Sequence, residues 1–218
     1  DPRTAIQLAR IISEQGTDVA LANLDKELTA LAIATVATPG VALAMRRGSD
    51  FPAKAGLRHR WLFGQRTARV LVNSEEIAET LETRGLRLPR RLIEVIPNGL
   101  DAIEIPAGER EALIADWPPG EGARIIVVGE VSERKSPLPL LTALARVEEP
   151  WRLLWIGDGD LLSIAREKSH ELGLADRVRF PGAIENARRW TACADLLVLH
   201  SSTEGQPWSV LEAVVQGV

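Results

Sequence analysis

The sequence predicts an α/β protein made of two consecutive doubly wound parallel-sheet units, and three observations carry that reading. Short apolar runs recur along the chain, each followed by a segment with helical spacing. The runs do not alternate with polar residues, so helices are expected to cover both faces of every strand. The rhythm then restarts once, after a looser segment rich in Pro, Gly and charge.

The elements follow in order. Thr4 is placed to cap a first helix whose apolar Ile6, Ala9, Ile11 and Ile12 repeat near helical spacing, with Gly16 to end it. DVALANL (18–24) reads as a buried strand, KELTALAIATVA (26–37) as a helix stopped by Pro39-Gly40, and VALAM (41–45) as the next strand. An irregular stretch, RRGSDFPAKAG (46–56), leads to helix LRHRWLFGQRTA (57–68), strand RVLVNS (69–74) and helix EEIAETLETRG (75–85). AGEREALIADWPPGEGA (107–123) reads as a linker. Beyond it come strand IIVVG, helix LPLLTALARV, strand WRLLWIG, helix LLSIAREKSHELG, strand RVRFPG, helix NARRWTACA, strand LLVLHSS and helix WSVLEAVVQ. The expected division is residues 1–104 and 105–218. Both ends fall abruptly beside helices, so the chain is expected to be part of a longer one.

Composition narrows the function classes. The 218 residues carry 26 Lys and Arg against 30 Asp and Glu, a net charge of −4 that provides no broad field for nucleic-acid phosphates. The hydrophobic fraction of 45% suits a soluble globular protein. Cys193, the lone cysteine, excludes an intrachain disulfide and a Cys-rich metal site, and fits a reducing, cytoplasmic setting. Its place in WTACA marks it as a small buried hydrophobe. His, Cys and carboxylates show no metal-ligand spacing, so no metal and no cofactor are expected. No apolar run reaches the length of a membrane span, although Arg87, Arg90 and Arg91 form a basic turn suited to peripheral contact with a membrane.

The candidate site gathers where strands of the second unit end. Gly129 follows IIVV, Gly157-Asp158-Gly159 follows LLWI, and Ser201 to Pro207 follow LLVL. Glycines there let backbone approach a ligand, and the next helix aims its free N–H groups at it, a geometry suited to anions. The dinucleotide fingerprint is incomplete because Leu162 stands where its third glycine belongs. The most specific feature is EGQPWSVLEA. It sets Glu204 in a loop at a helix start and Glu212 inside that helix, with Trp208 and Ser209 in the first turn. Two carboxylates there hold hydroxyls by charge-assisted bonds while the helix end cradles phosphate, a pairing suited to a sugar phosphate.

EGQPWSVLEA resembles the signature of the family-4 retaining glycosyltransferases, which have two Rossmann-like domains in the GT-B arrangement. The order VLVNS, VIPNGLD (95–101), IIVVG to Lys135, WIGDGD, DRVRFPG and CADLLVLHSS resembles that family too. The resemblance implies a metal-independent, retaining transfer from a nucleotide-diphosphate sugar held mainly by residues 105–218, with the acceptor on residues 1–104. It implies that Glu204 binds donor-sugar hydroxyls, that Glu212 grips the ribose, that the amides of Gly205 and Gln206 contact the sugar, and that Lys135 neutralises the departing diphosphate. An ammonium and helix amides suit that step, because negative charge builds on the leaving group in the transition state.

Three departures stand out. The family commonly has an arginine directly after the glycine that Gly129 matches, and here Glu130 stands there, which leaves Arg134 as candidate diphosphate clamp. Ser136 follows Lys135 where the family has glycine. Arg46-Arg47-Gly48 stands where many relatives carry a histidine after the strand matching VALAM, so a histidine-assisted mechanism does not carry over. Arg46 and Arg47, beside Ser49 and Asp50, are acceptor-side candidates for an anionic group. His59 and His170 read as surface or interfacial residues, and His200 as the polar end of a strand. A nucleotide-binding inactive relative and a nucleotide-sugar epimerase of the same architecture are the alternative readings.

Overall fold

The computed structural model describes residues 2–48, 53–202 and 204–218. The chain divides into two compact units, Asp1–Asn98 and Gly99–Val218. The division falls before the expected 104/105, so Gly99 to Glu104 go with the second unit.

The first unit contains α1 (Pro2–Glu14), β1 (Val19–Ala22), α2 (Asp25–Ala34), β2 (Ala42–Arg47), α3 (Leu57–Trp61), β3 (Thr67–Val72), α4 (Glu75–Thr83) and β4 (Ile93–Val95). Its sheet runs β1-β2-β3-β4, every neighbouring pair parallel, with Val19 opposite Ala42, Met45 opposite Val70 and Val70 opposite Ile93. Leu28, Leu43, Leu62, Val70, Ile77 and Leu81 pack the core and are almost wholly buried. α1 begins at Pro2, so Thr4 lies inside the helix rather than capping it. The helix expected over 57–68 ends at Trp61 and continues as a π-helical turn over Leu62–Arg66. That turn buries Leu62 and Phe63 and releases Thr67 into β3. β2 runs on through Arg46 and Arg47, which places both on a strand rather than in an irregular loop.

The second unit contains α5 (Ala107–Ile114), β5 (Ala123–Val128), α6 (Pro137–Leu144), β6 (Trp151–Ile156), α7 (Leu162–Glu171), β7 (Val178–Gly182), α8 (Arg188–Thr191), β8 (Leu196–Leu197) and α9 (Trp208–Gln216). The sheet order is β7-β6-β5-β8, again parallel throughout. The two inner strands, β5 and β6, carry the most deeply buried side chains of the sheet: Ile126, Leu153, Leu154 and Trp155 are fully buried. Clusters line both sheet faces, Leu140, Leu141 and Ala165 on one side and Leu113, Trp117 and Cys193 on the other. The segment read as a linker is therefore structural: α5 forms there, Leu113 and Trp117 enter the core, and the Trp117 indole donates to the Ile125 carbonyl at 3.1 Å. Only two residues of LLVLHSS pair as β8, and the rest forms the loop that approaches Arg134.

Candidate functional site

Strand order puts the ends of β5, β6 and β8 side by side, and the turns after them build the site. After β5 the chain passes Gly129 and enters a 3-10 turn, Glu133–Lys135. Ser136 then takes a left-handed conformation, φ 46°, at the start of α6. This is where the resembling family has glycine, which holds such a φ without a Cβ clash. The kink turns Lys135 inward, to 7% exposure, against Gly129, where a Cβ would stand 3.1 Å from the lysine Cε.

Gly157 is equally constrained. A Cβ there would fall 1.9 Å from the Gly129 carbonyl oxygen, so the turns after β5 and β6 touch backbone to backbone. The Trp155 indole donates to the same carbonyl at 3.1 Å, and the Val131 amide donates to the Asp158 carbonyl at 2.9 Å. The Asp158 carboxylate is exposed and accepts from the Gly159 amide at 2.8 Å.

The loop after β8 closes the group. The Ser202 amide donates to the Arg134 carbonyl at 2.9 Å, which ties that loop to the 3-10 turn. Glu204 Oε1 then accepts from Lys135 Nζ at 2.7 Å and from Arg134 Nη1 at 2.5 Å. Burial of the Glu204 carboxyl opposes its ionisation, but the Lys135 ammonium and the Arg134 guanidinium outweigh it and hold the group below the ordinary glutamate range. Two cations thus converge on one partly exposed carboxylate beside glycine backbone. Such an array can neutralise an oxyanion and hold a hydroxyl at once.

Glu130, the residue that departs from the family pattern, is exposed and makes no ion pair among the described residues. Arg134 occupies the position beside Lys135 and Glu204 instead. Gly205 and Gln206 lie half-buried in the loop, Trp208 is 47% exposed, and Ser209 is buried in the first turn of α9. Glu212 is half-buried further along α9. Burial pushes its carboxyl above the ordinary range, against the pull of Arg188, which is its charged neighbour. The structure therefore joins Gly129, Gly157, Arg134, Lys135 and Glu204 through contacts, whereas Glu212 feels the charge of Arg188. Sequence reasoning missed Arg188 and Trp155. Arg188 carried no motif, and Trp155 reads simply as the interior of an apolar strand.

In the first unit, Arg46 Nη2 donates to Asn98 Oδ1 at 3.2 Å. Arg47 is drawn inward, its guanidinium 3.6 Å from Asp25 Oδ1. Burial lowers its pKa and Asp25 raises it, burial being the larger effect. His59 is 4% exposed, so it is not a surface residue: its Nε2 lies 3.7 Å from Asp25 Oδ2, and its ring stacks on Phe63 with centroids 6.3 Å apart. Ser49 and Asp50, expected beside the arginines, lie outside the described residues. Among the described residues no group of three or more His, Cys, Asp or Glu is arranged to hold a metal, and no helix is long and apolar enough to cross a membrane.

The fold matches that of GT-B glycosyltransferase structures, and residues 122–218 match the family model described as glycosyl transferases group 1. Over 177 residues the chain is 29% identical to the lipopolysaccharide core biosynthesis glycosyltransferase LpsE of Rhizobium meliloti (strain 1021), a match covering 81% of this chain and 48% of that protein. Among solved structures, HepE of Anabaena in complex with UDP superposes with a TM-score of 0.80 at 20% identity, over 98% of this chain and 61% of HepE. A glycosyltransferase from Rickettsia africae ESF-5 gives a TM-score of 0.84 at 14% identity, over 99% of this chain and 60% of that one. The chain spans about half the length of the first curated relative.

Proposed function

We propose that the protein of which this chain forms part is a retaining glycosyltransferase of lipopolysaccharide or polysaccharide assembly, moving a sugar from a nucleoside-diphosphate donor without a metal ion. The observation that carries the reading is the convergence of Lys135 and Arg134 on Glu204 at the ends of β5 and β8. In this reading the two cations receive the diphosphate and stabilise the charge that grows on it as the glycosidic bond breaks. Glu204 accepts hydrogen bonds from hydroxyls of the transferred sugar, and Glu212 accepts them from the ribose. The close glycines Gly129 and Gly157, with the amides of Gly205 and Gln206, bring backbone to the donor, while Asp158, Trp208 and Ser209 border it. UDP is the first nucleotide to try, because HepE has been solved with UDP and with UDP-glucose. The first unit, with Arg46 and Arg47, takes the acceptor. The protein works in the cytoplasm and touches the membrane peripherally through the basic turn of Arg87, Arg90 and Arg91, of which Arg90 is ion-paired with Glu75 and Glu82.

The test uses the full-length protein with UDP-, GDP- and ADP-sugars and follows nucleoside diphosphate release and the anomeric configuration of the freed sugar by NMR. Slow release from one donor, with the configuration retained, is expected. Inversion, or no release from any donor while the nucleotides still bind, overturns the reading.

A further inference from the structure

Outside the donor-side cluster, a second set of polar groups lies at the carboxyl ends of β1, β2 and β3 in the first unit. A cavity of about 200 Å³ opens there, lined by Asn23, Leu24, Asp25, Met45, Arg47 and Gly48. Ligands of parallel sheets bind beyond this end of the strands. Asp25 opens α2 and keeps its side chain 38% exposed between Arg47 and His59, whose side chains are 10% and 5% exposed. Asn73 directly follows β3, is 6% exposed, and its amide reaches within 3.7 Å of where a Cβ at Gly48 would stand.

The hydrogen-bond inventory decides what chemistry fits. Asp25 Oδ1, His59 Nε2 and Asn73 Oδ1 are buried and have no hydrogen-bond partner among the described residues. Two of the three are pure acceptors, and buried acceptors require donors. A phosphate offers acceptors, so it adds nothing for Asp25 or Asn73 and places a second negative charge beside the Asp25 carboxylate. A hydroxyl both donates and accepts. It gives a proton to a carboxylate or amide oxygen and takes one from a guanidinium or imidazole N–H. The charge balance of the lining agrees, since Arg47 and Asp25, its charged members among the described residues, offset each other.

We propose that this cavity, with Asp25 as its principal acceptor and His59 and Asn73 behind it, is a site for a neutral polyhydroxyl group, the sugar portion of the acceptor, and not for a phosphate. This rests on the glycosyltransferase reading for its biological meaning, and it replaces the anionic group that Arg46 and Arg47 alone suggest. Arg47 orients the Asp25 carboxylate, and His59 braces it from the other side. Arg46, engaged with Asn98, stands apart from the set.

Met45 supplies the probe. It is the sole methionine, 2% exposed, and lines the cavity, so chain labelled with ¹³C-methyl methionine gives one resonance reporting directly on the site. Methyl α-glucopyranoside, methyl α-mannopyranoside and methyl α-galactopyranoside are titrated separately, then inorganic phosphate. At least one glycoside is expected to move the resonance saturably, with phosphate leaving it in place, and Asp25→Asn is expected to weaken the glycoside at least about tenfold. A saturable shift with phosphate, or none with any glycoside, overturns the proposal even if Asp25→Asn fails to fold, because that comparison uses the unmutated chain. The readout involves no nucleotide, so a glycoside response without nucleoside diphosphate binding would leave this site standing and count against the glycosyltransferase reading.

Discussion

Removing Glu204 and removing Lys135 should have unequal consequences, although they are two halves of one ion pair. At 2.7 Å and an effective dielectric near 20, their attraction is about 6 kcal/mol before desolvation. Glu204→Gln leaves the Lys135 ammonium, with an 8% exposed side chain, facing a neutral amide, and also deprives Arg134 of its partner. Stranding a fully buried charge costs about 3–5 kcal/mol. The Glu204 side chain is 23% exposed, so water recovers part of that, and about 2 kcal/mol is the expected loss. Lys135→Met keeps the volume packed against Gly129 and leaves Glu204 still paired with Arg134, so its expected cost is below about 1 kcal/mol. Urea unfolding followed by tryptophan fluorescence reads this in the right place, since Trp117, Trp151, Trp155, Trp190 and Trp208 all lie in the second unit. The pH dependence adds an independent check. The folded-state pKa of Glu204 lies below its ordinary value of 4.5, so the stabilisation is full above 4.5 and is lost as pH falls through the folded value. The gap between wild type and Glu204→Gln should close at acid pH. Equal costs for the two variants, or a gap that widens on acidification, would refute the reasoning.

Other perturbations have equally definite outcomes. Glu212→Gln should stabilise the ligand-free chain by about 0.5 kcal/mol at neutral pH, because burial raises its carboxyl pKa and ionisation works against folding as pH rises through that value; thermal melts at pH 4 and pH 7.5 check it. Gly157→Ala should cost more than about 3 kcal/mol or abolish folding of the second unit, since its Cβ would meet the Gly129 carbonyl at 1.9 Å; circular dichroism melts decide. Asp195→Ala should cost about 1 kcal/mol after solvent screening, losing the 2.6 and 2.9 Å bonds to the Arg124 guanidinium that clasp β5 to the start of β8. The Arg124 pairing holds the Asp195 carboxyl below its ordinary 3.8, so this loss, too, should fade as pH falls through the folded value.

Much of the fold was legible because parallel strands buried on two faces leave continuous apolar runs. IIVV, WRLLWI and WSVLEAVVQ became β5, β6 and α9 almost as read. The misread segments share a physical cause. AGEREALIADWPPGEGA is polar and carries Pro and Gly, yet it folds as α5 because Leu113 and Trp117 are anchored by tertiary packing that no local pattern displays. β4 is only three residues long, too short for a periodic signal, and it is held by pairing with β3. His59 read as a surface or interfacial helix residue, but the helical turn directs it inward toward Asp25 and Phe63. At the site, Glu204, Lys135 and the glycines were marked by their places after strands. The meeting of Arg134 with Glu204 depends on the Ser202-to-Arg134 backbone bond across 68 residues, which sequence spacing cannot express.

If Lys135, Glu204 and Glu212 serve one nucleoside-diphosphate sugar, calorimetric titration of the chain with UDP, GDP and ADP registers it. At least one nucleotide is expected to bind, with affinity falling about tenfold or more in both Lys135→Met and Glu212→Gln while Arg46→Gln binds as wild type. No binding by any of the three, or undiminished binding in both site variants, would contradict it.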